Sequence, residues 1–187
     1  NGEFKRKRVK IPLCVFDYGE FVPLMKIIDN LKIRNILRES LSEKHVHTLI
    51  ALALNRVINP VAACNVRTWY DGTYLAKLYG DLPISSQNLS EFMRIIGESP
   101  VPRDFSQELI NSIGDGKTIL YDITSLSSSS KLMDILEYGY NRDGDGLPQL
   151  NISIAAHKDL GIPLCFDIYP GSIVDVSTLR NTTKNLE

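Results

Sequence analysis

The sequence predicts a mixed chain, α+β or α/β, with a helical N-terminal part followed by the first strands of an incomplete mixed sheet. Three observations predict it. Apolar residues recur at helical spacing from Phe21 to Ile96. Residues 118–130, T-I-L-Y-D-I-T-S-L-S-S-S-S, begin with a short apolar run of strand type. Two further strand-like runs, near residues 150–157 and 162–169, flank the tight turn K-D-L-G. Gly114 and Gly116 separate the two parts, so the expected domains are 1–115 and 116–187.

Taken in order, residues 9–18 suit a strand or an extended arm. Val22, Met25, Ile28 and Leu31 form the stripe of a first helix, and Ile33, Ile36, Leu37 and Leu41 that of a second. A third starts after Ser42, with Glu43 in its first turn, and stops at the Asn59–Pro60 break. Its apolar face is almost continuous, which puts it at the centre of the helical part. Residues 66–78 predict a fourth helix and residues 86–96 a fifth, capped at Ser86 or Ser90. G-E-S-P-V-P-R at 97–103 reads as a loop, and residues 105–113 as a short helix. Such short helices suit a DNA-binding module or simple helix-on-helix packing. Trp69 and Tyr70 fit core or interface positions better than base stacking.

Composition narrows the class. A net charge of −1 over 187 residues makes no general nucleic-acid magnet. K-R-K-R-V-K is a compact basic block, however, and Lys5, Arg6, Lys7, Arg8 and Lys10 are candidate phosphate contacts or a solvated end. Cys14, Cys64 and Cys165 are odd in number and widely spaced, which excludes a disulfide framework and a C-x-x-C zinc site and suggests buried free thiols. No window approaches the ~20 apolar residues of a membrane span. The expected location is the cytoplasm, with no membrane partner, and a chain beginning at Asn1 suits a fragment.

Asp122 carries the chemistry. Ile119, Leu120, Tyr121 and Ile123 read as a strand buried on both faces. An unpaired ionised carboxylate there costs several kcal/mol, so a metal ion, an Arg or backbone N–H groups must compensate. Alternatively, Asp122 sits at the strand end and accepts hydrogen bonds from the serine-rich turn.

Five segments follow in order: Y-D-I-T-S from Tyr121, Y-G-Y-N-R-D from Tyr138, L-P-Q-L-N from Leu147, G-I-P-L from Gly161, and P-G-S-I-V-D-V-S-T-L from Pro170. Together they resemble the catalytic-domain opening of prokaryotic insertion-sequence transposases of the DDE type, closely over residues 115–187 and loosely before. The resemblance implies a ribonuclease-H-like sheet whose first strand carries the first acidic metal ligand, the position of Asp122. It implies two Mg²⁺ or Mn²⁺ ions, double-stranded DNA of mobile-element ends as substrate, and possible self-association. The second ligand, at a D-R-G or D-A-G strand end, and the third, a helical Glu, do not occur before Glu187, so the 187-residue chain alone is expected to be inactive. Asp175 is a candidate second carboxylate, but its P-G-x-x-x-D setting matches a family motif that precedes the second ligand, and an Asp followed by V-S-T-L is a natural helix N-cap. Thr124 shares a face with Asp122 and could orient its carboxylate. Arg142 is a candidate phosphate contact or a structural ion pair.

Competing readings stay open. The chain is alternatively a non-catalytic DNA-binding or dimerising transposase remnant. A weaker alternative is an actin- or sugar-kinase-like phosphotransferase, though D-I-T-S-L-S lacks the glycines that let backbone approach phosphate. N-R-D-G-D-G resembles half a calcium loop, but Ile152 stands where a bidentate Glu is required. His45 and His47, two apart on a helix, face different ways, and His157 suits a structural role.

Overall fold

A computed structural model describes residues 15–113, 118–140 and 144–173. It contains helices α1 (Phe21–Asn30), α2 (Ile33–Ser40), α3 (Glu43–Ile58), α4 (Val66–Asp71), α5 (Tyr74–Tyr79), α6 (Ser86–Glu98) and α7 (Val101–Ile113). Strands β1 (Ile119–Ser127), β2 (Gln149–His157) and β3 (Pro163–Pro170) follow. The class is mixed α+β. The chain divides into compact units at Val101/Pro102, so α7 goes with the strands, whereas the sequence reading put the boundary at 115/116.

In the first unit α3 is the central helix, as its composition predicts. Ser42 caps it by accepting from the His45 N–H, and Val46, Ile50, Ala51 and Leu54 are buried. Its buried polar groups are satisfied locally: Thr48 donates to the Lys44 carbonyl (2.9 Å), and Asn55 donates to the Asn59 carbonyl (2.8 Å) where the helix ends. The buried face of α1 runs through Phe21 and Ile28, leaving the expected stripe residue Val22 exposed.

Three boundaries differ from expectation for local reasons. The single helix expected over 66–78 breaks between α4 and α5 because Asp17 bridges to Thr73: its N–H donates to the Gly72 carbonyl, and its carbonyl accepts from Tyr74. Buried Tyr70 holds the second piece by donating to the Gly80 carbonyl at 2.7 Å, and burial pushes its phenol up to about 12. Helix α6 is capped by Ser85, one residue before the anticipated Ser86 and five before Ser90. Helix α7 starts at Val101, where a loop was expected. Pro102 falls in its first turn, where a missing N–H costs nothing. Phe92, Ile96 and Val101 form a cluster backed by Leu41, Leu49 and Leu52.

The second unit is built on an antiparallel meander in the order β1-β2-β3, as predicted from the strand runs. Gly161, at φ +64°, closes the turn between β2 and β3, and the ring Nδ1 of His157 accepts from the Leu160 N–H. The faces are inverted relative to the usual rule. On β2 the buried side chains include Gln149, Asn151, Ser153 and His157. The opposite face, Leu120, Leu126, Ile154, Phe166 and Ile168, is 40–52% exposed.

Candidate functional site

Asp122 lies at the middle of β1 opposite Ile154, on the open apolar face. Thr124 is on that same face, opposite Ile152, as strand alternation requires. The two help line a shallow cavity of about 190 Å³ with Leu120, Ile152, Ile154 and Ala156. The expectation that β1 is buried on both faces is corrected. Among the described residues β1 is an edge strand, and Asp122 is exposed. The carboxylate is therefore open to solvent, and burial does not require a metal to compensate it. Nor does the serine-rich turn supply hydrogen bonds, because Asp122 is mid-strand. Among the described residues its carboxylate has no hydrogen-bond or ion-pair partner, and no hydrogen bond joins it to Thr124.

The sequence reading missed what Gln149 and Asn151 do. Glu137 pairs with Gln149 in an isolated bridge, with backbone bonds of 3.0 and 2.9 Å. The Gln149 side-chain amide donates to the Tyr140 carbonyl at 2.8 Å. The Asn151 amide donates to the carbonyls of Ile173 (3.2 Å) and Gly171 (3.5 Å), and the Ser172 hydroxyl donates to the Glu137 carboxylate. Gly139 and Gly171 meet backbone to backbone: a Cβ on Gly139 would lie 1.9 Å from the Gly171 carbonyl oxygen. Three of the ordered segments, Y-G-Y, L-P-Q-L-N and P-G-S, thus converge in one knot. Two polar amides alternating with Leu150 and Ile152 at the start of β2 were the available signal. The knot positions loops, and it holds Tyr138 and Tyr140 at 74% and 87% exposure.

The remaining candidates divide by location. Lys5, Arg6, Lys7, Arg8, Lys10, Arg142 and Asp175 lie outside the described residues, as does Cys14. Cys64 is exposed, not buried as expected, because it sits in the short 3-10 turn Ala63–Asn65. Cys165 is half-buried, and burial pushes its thiol up. His45 lies beside Phe92 and His47 on Tyr79, so they form no metal pair. Among the described residues no three His, Cys, Asp or Glu side chains come together as a metal site, and no single helix is long and apolar enough to cross a membrane. As a first ligand Asp122 is accessible. Alone it does not hold two hard cations, each needing about six oxygen ligands. Comparison with known proteins finds no matching family model, no similar curated protein and no similar solved structure.

Proposed function

We propose that the chain is the N-terminal and early catalytic part of a DNA transposase of the DDE type. In this reading the three-stranded meander is the start of a ribonuclease-H-like sheet, and Asp122 is the first ligand of an Mg²⁺ or Mn²⁺ pair. The whole protein works in the cytoplasm on double-stranded DNA at the ends of its own element, with Arg142 and the basic block from Lys5 to Lys10 as candidate phosphate contacts. Asp175 remains a candidate for metal or for a helix cap.

The observation that carries the reading is one accessible carboxylate, unpaired among the described residues, at the centre of the first strand of an antiparallel meander. The ordered motifs support it, since three of them share one knot at the Gln149 end of the sheet. A second reading, a DNA-binding remnant without chemistry, is favoured by the lack of a further carboxylate on the Asp122 face among the described residues.

The test begins with the coding DNA past Glu187. A frame supplying an Asp at a strand end and a later helical Glu supports the enzyme. Protein expressed from that frame is then expected to nick DNA carrying the element ends in Mn²⁺, with Asp122→Asn losing cleavage but retaining DNA binding. Undiminished cleavage by Asp122→Asn overturns the assignment of Asp122. A stop or frameshift directly after Glu187 favours the remnant. Metal binding by the 187-residue chain is expected to be weak, and nanomolar Mn²⁺ binding abolished by Asp122→Ala would contradict the ligand accounting.

A further inference from the structure

The first unit contains a half-open cavity of about 490 Å³, lined by Asp17, Tyr18, Glu20, Phe21, Asn59 and Trp69 among others. Its volume falls within the range of small-ligand sites, ~300–1,000 Å³. The lining is held in place from several directions. Asp17 is fixed by its backbone bridge to Thr73, which also breaks the helix between α4 and α5. Phe21 is 2% exposed and forms a floor against Trp69, with ring centroids 6.2 Å apart. Tyr18 stands edge-on to Tyr74 at 4.7 Å.

Charge and chemistry point one way. Among the described residues, the two ionisable side chains other than the Tyr18 phenol that line the cavity are carboxylates, and no Lys, Arg or His lines it. Among the described residues neither Asp17 nor Glu20 has an ion-pair or side-chain hydrogen-bond partner. An indole and a phenol complete the wall, and aromatic faces attract cations, most strongly when water is partly excluded. An anion would meet two like charges, and a neutral apolar guest would leave both carboxylates facing it.

We propose that this cavity binds an alkylammonium group, with Trp69 and Tyr18 against the cation and Asp17 and Glu20 neutralising it. The proposal does not depend on the transposase reading. Trp69 is the one tryptophan of the chain, so its fluorescence reports directly on the cavity. The 187-residue protein is titrated with choline and, separately, with its uncharged carbon isostere dimethylbutanol, at constant ionic strength. Choline is expected to change Trp69 emission saturably, with the isostere about ten-fold weaker or more. A capped peptide with one lysine, set against the same peptide acetylated, separates the sources: tighter binding than choline identifies a protein side chain as ligand, and weaker binding a free amine. The double variant Asp17→Asn, Glu20→Gln, checked by circular dichroism for native helix content, is expected to lose the preference for charge. Equal responses to choline and the isostere overturn the proposal, and this comparison needs no variant. So does an unchanged preference in the folded double variant.

Discussion

His47 lies face to face on Tyr79, with ring centroids 4.0 Å apart and planes 13° from parallel. The pair ties α3 to α5 and sits inside a chain of polar contacts. Arg34 donates to the Tyr79 hydroxyl (2.8 Å) and to Asp29, while His47 approaches Glu43 at 3.1 Å, and Glu43 is held bidentately by Arg38.

This setting makes the helical unit sensitive to acid. Burial against Tyr79 holds His47 below its ordinary value of 6.5, with Arg34 and Arg38 acting in the same direction and Glu43 against it. The folded state therefore binds fewer protons at His47 than the unfolded chain does. Its contribution is present above 6.5 and is lost as pH falls through and below that value. Thermal unfolding is expected to begin at lower temperature at about pH 5.5 than at about pH 7.5, and His47→Phe should flatten that difference. Glu43, held below the usual carboxylate range by Arg38, adds an acid loss in a separate window under 4.5.

Gly139 admits no side chain. A Cβ there would sit 1.9 Å from the Gly171 carbonyl oxygen, and backbone is the obstacle on both sides. Gly139→Ala is expected to cost the sheet unit about 3 kcal/mol or more, read as a lower urea midpoint. Gly97→Ala, where nothing lies within 4 Å, is the matched control and should not lose stability.

Two of the buried polar residues of β2 should respond oppositely to substitution. Ser153 is fully buried, and its Oγ has no partner among the described residues, so Ser153→Ala removes a desolvated hydroxyl. It is expected to be neutral or stabilising by up to ~1 kcal/mol. Gln149→Leu orphans the Tyr140 carbonyl and is expected to cost ~1–3 kcal/mol, with faster amide exchange around Tyr138 and Tyr140.

Asp122 should be dispensable for folding. It is exposed and, among the described residues, unpaired, so Asp122→Asn is expected to change stability by no more than about 0.5 kcal/mol in equilibrium urea unfolding. A loss of several kcal/mol would show that the carboxylate has a structural partner.

How much of this was legible in the sequence depended on whether a feature was set locally. The Ser42 cap, the Asn59–Pro60 stop of α3 and the Lys158–Gly161 turn are local devices, and each was readable. The split of α4 from α5 was not, because Asp17, far away in the chain, causes it. The burial of Asp122 was misjudged for a related reason. A run such as I-L-Y-D-I reads as doubly buried, but burial depends on what covers a strand, and that is not written in the strand itself. The knot was half legible: Gln149 and Asn151 interrupt an apolar pattern, yet only the register shows that they reach Tyr140 and Ile173.

The inverted faces of the sheet bear on its calorimetry. Unfolding β2 exposes buried amides and hydroxyls, whose hydration lowers the heat capacity, while much of the Leu120–Phe166 side is already wet before the transition. The sheet unit should therefore show an unusually small heat-capacity increment per residue, below the ~12–15 cal/mol/K of ordinary domains. Its stability would then follow a flattened dome against temperature, resisting cold better than a sheet of the same size with an apolar interior.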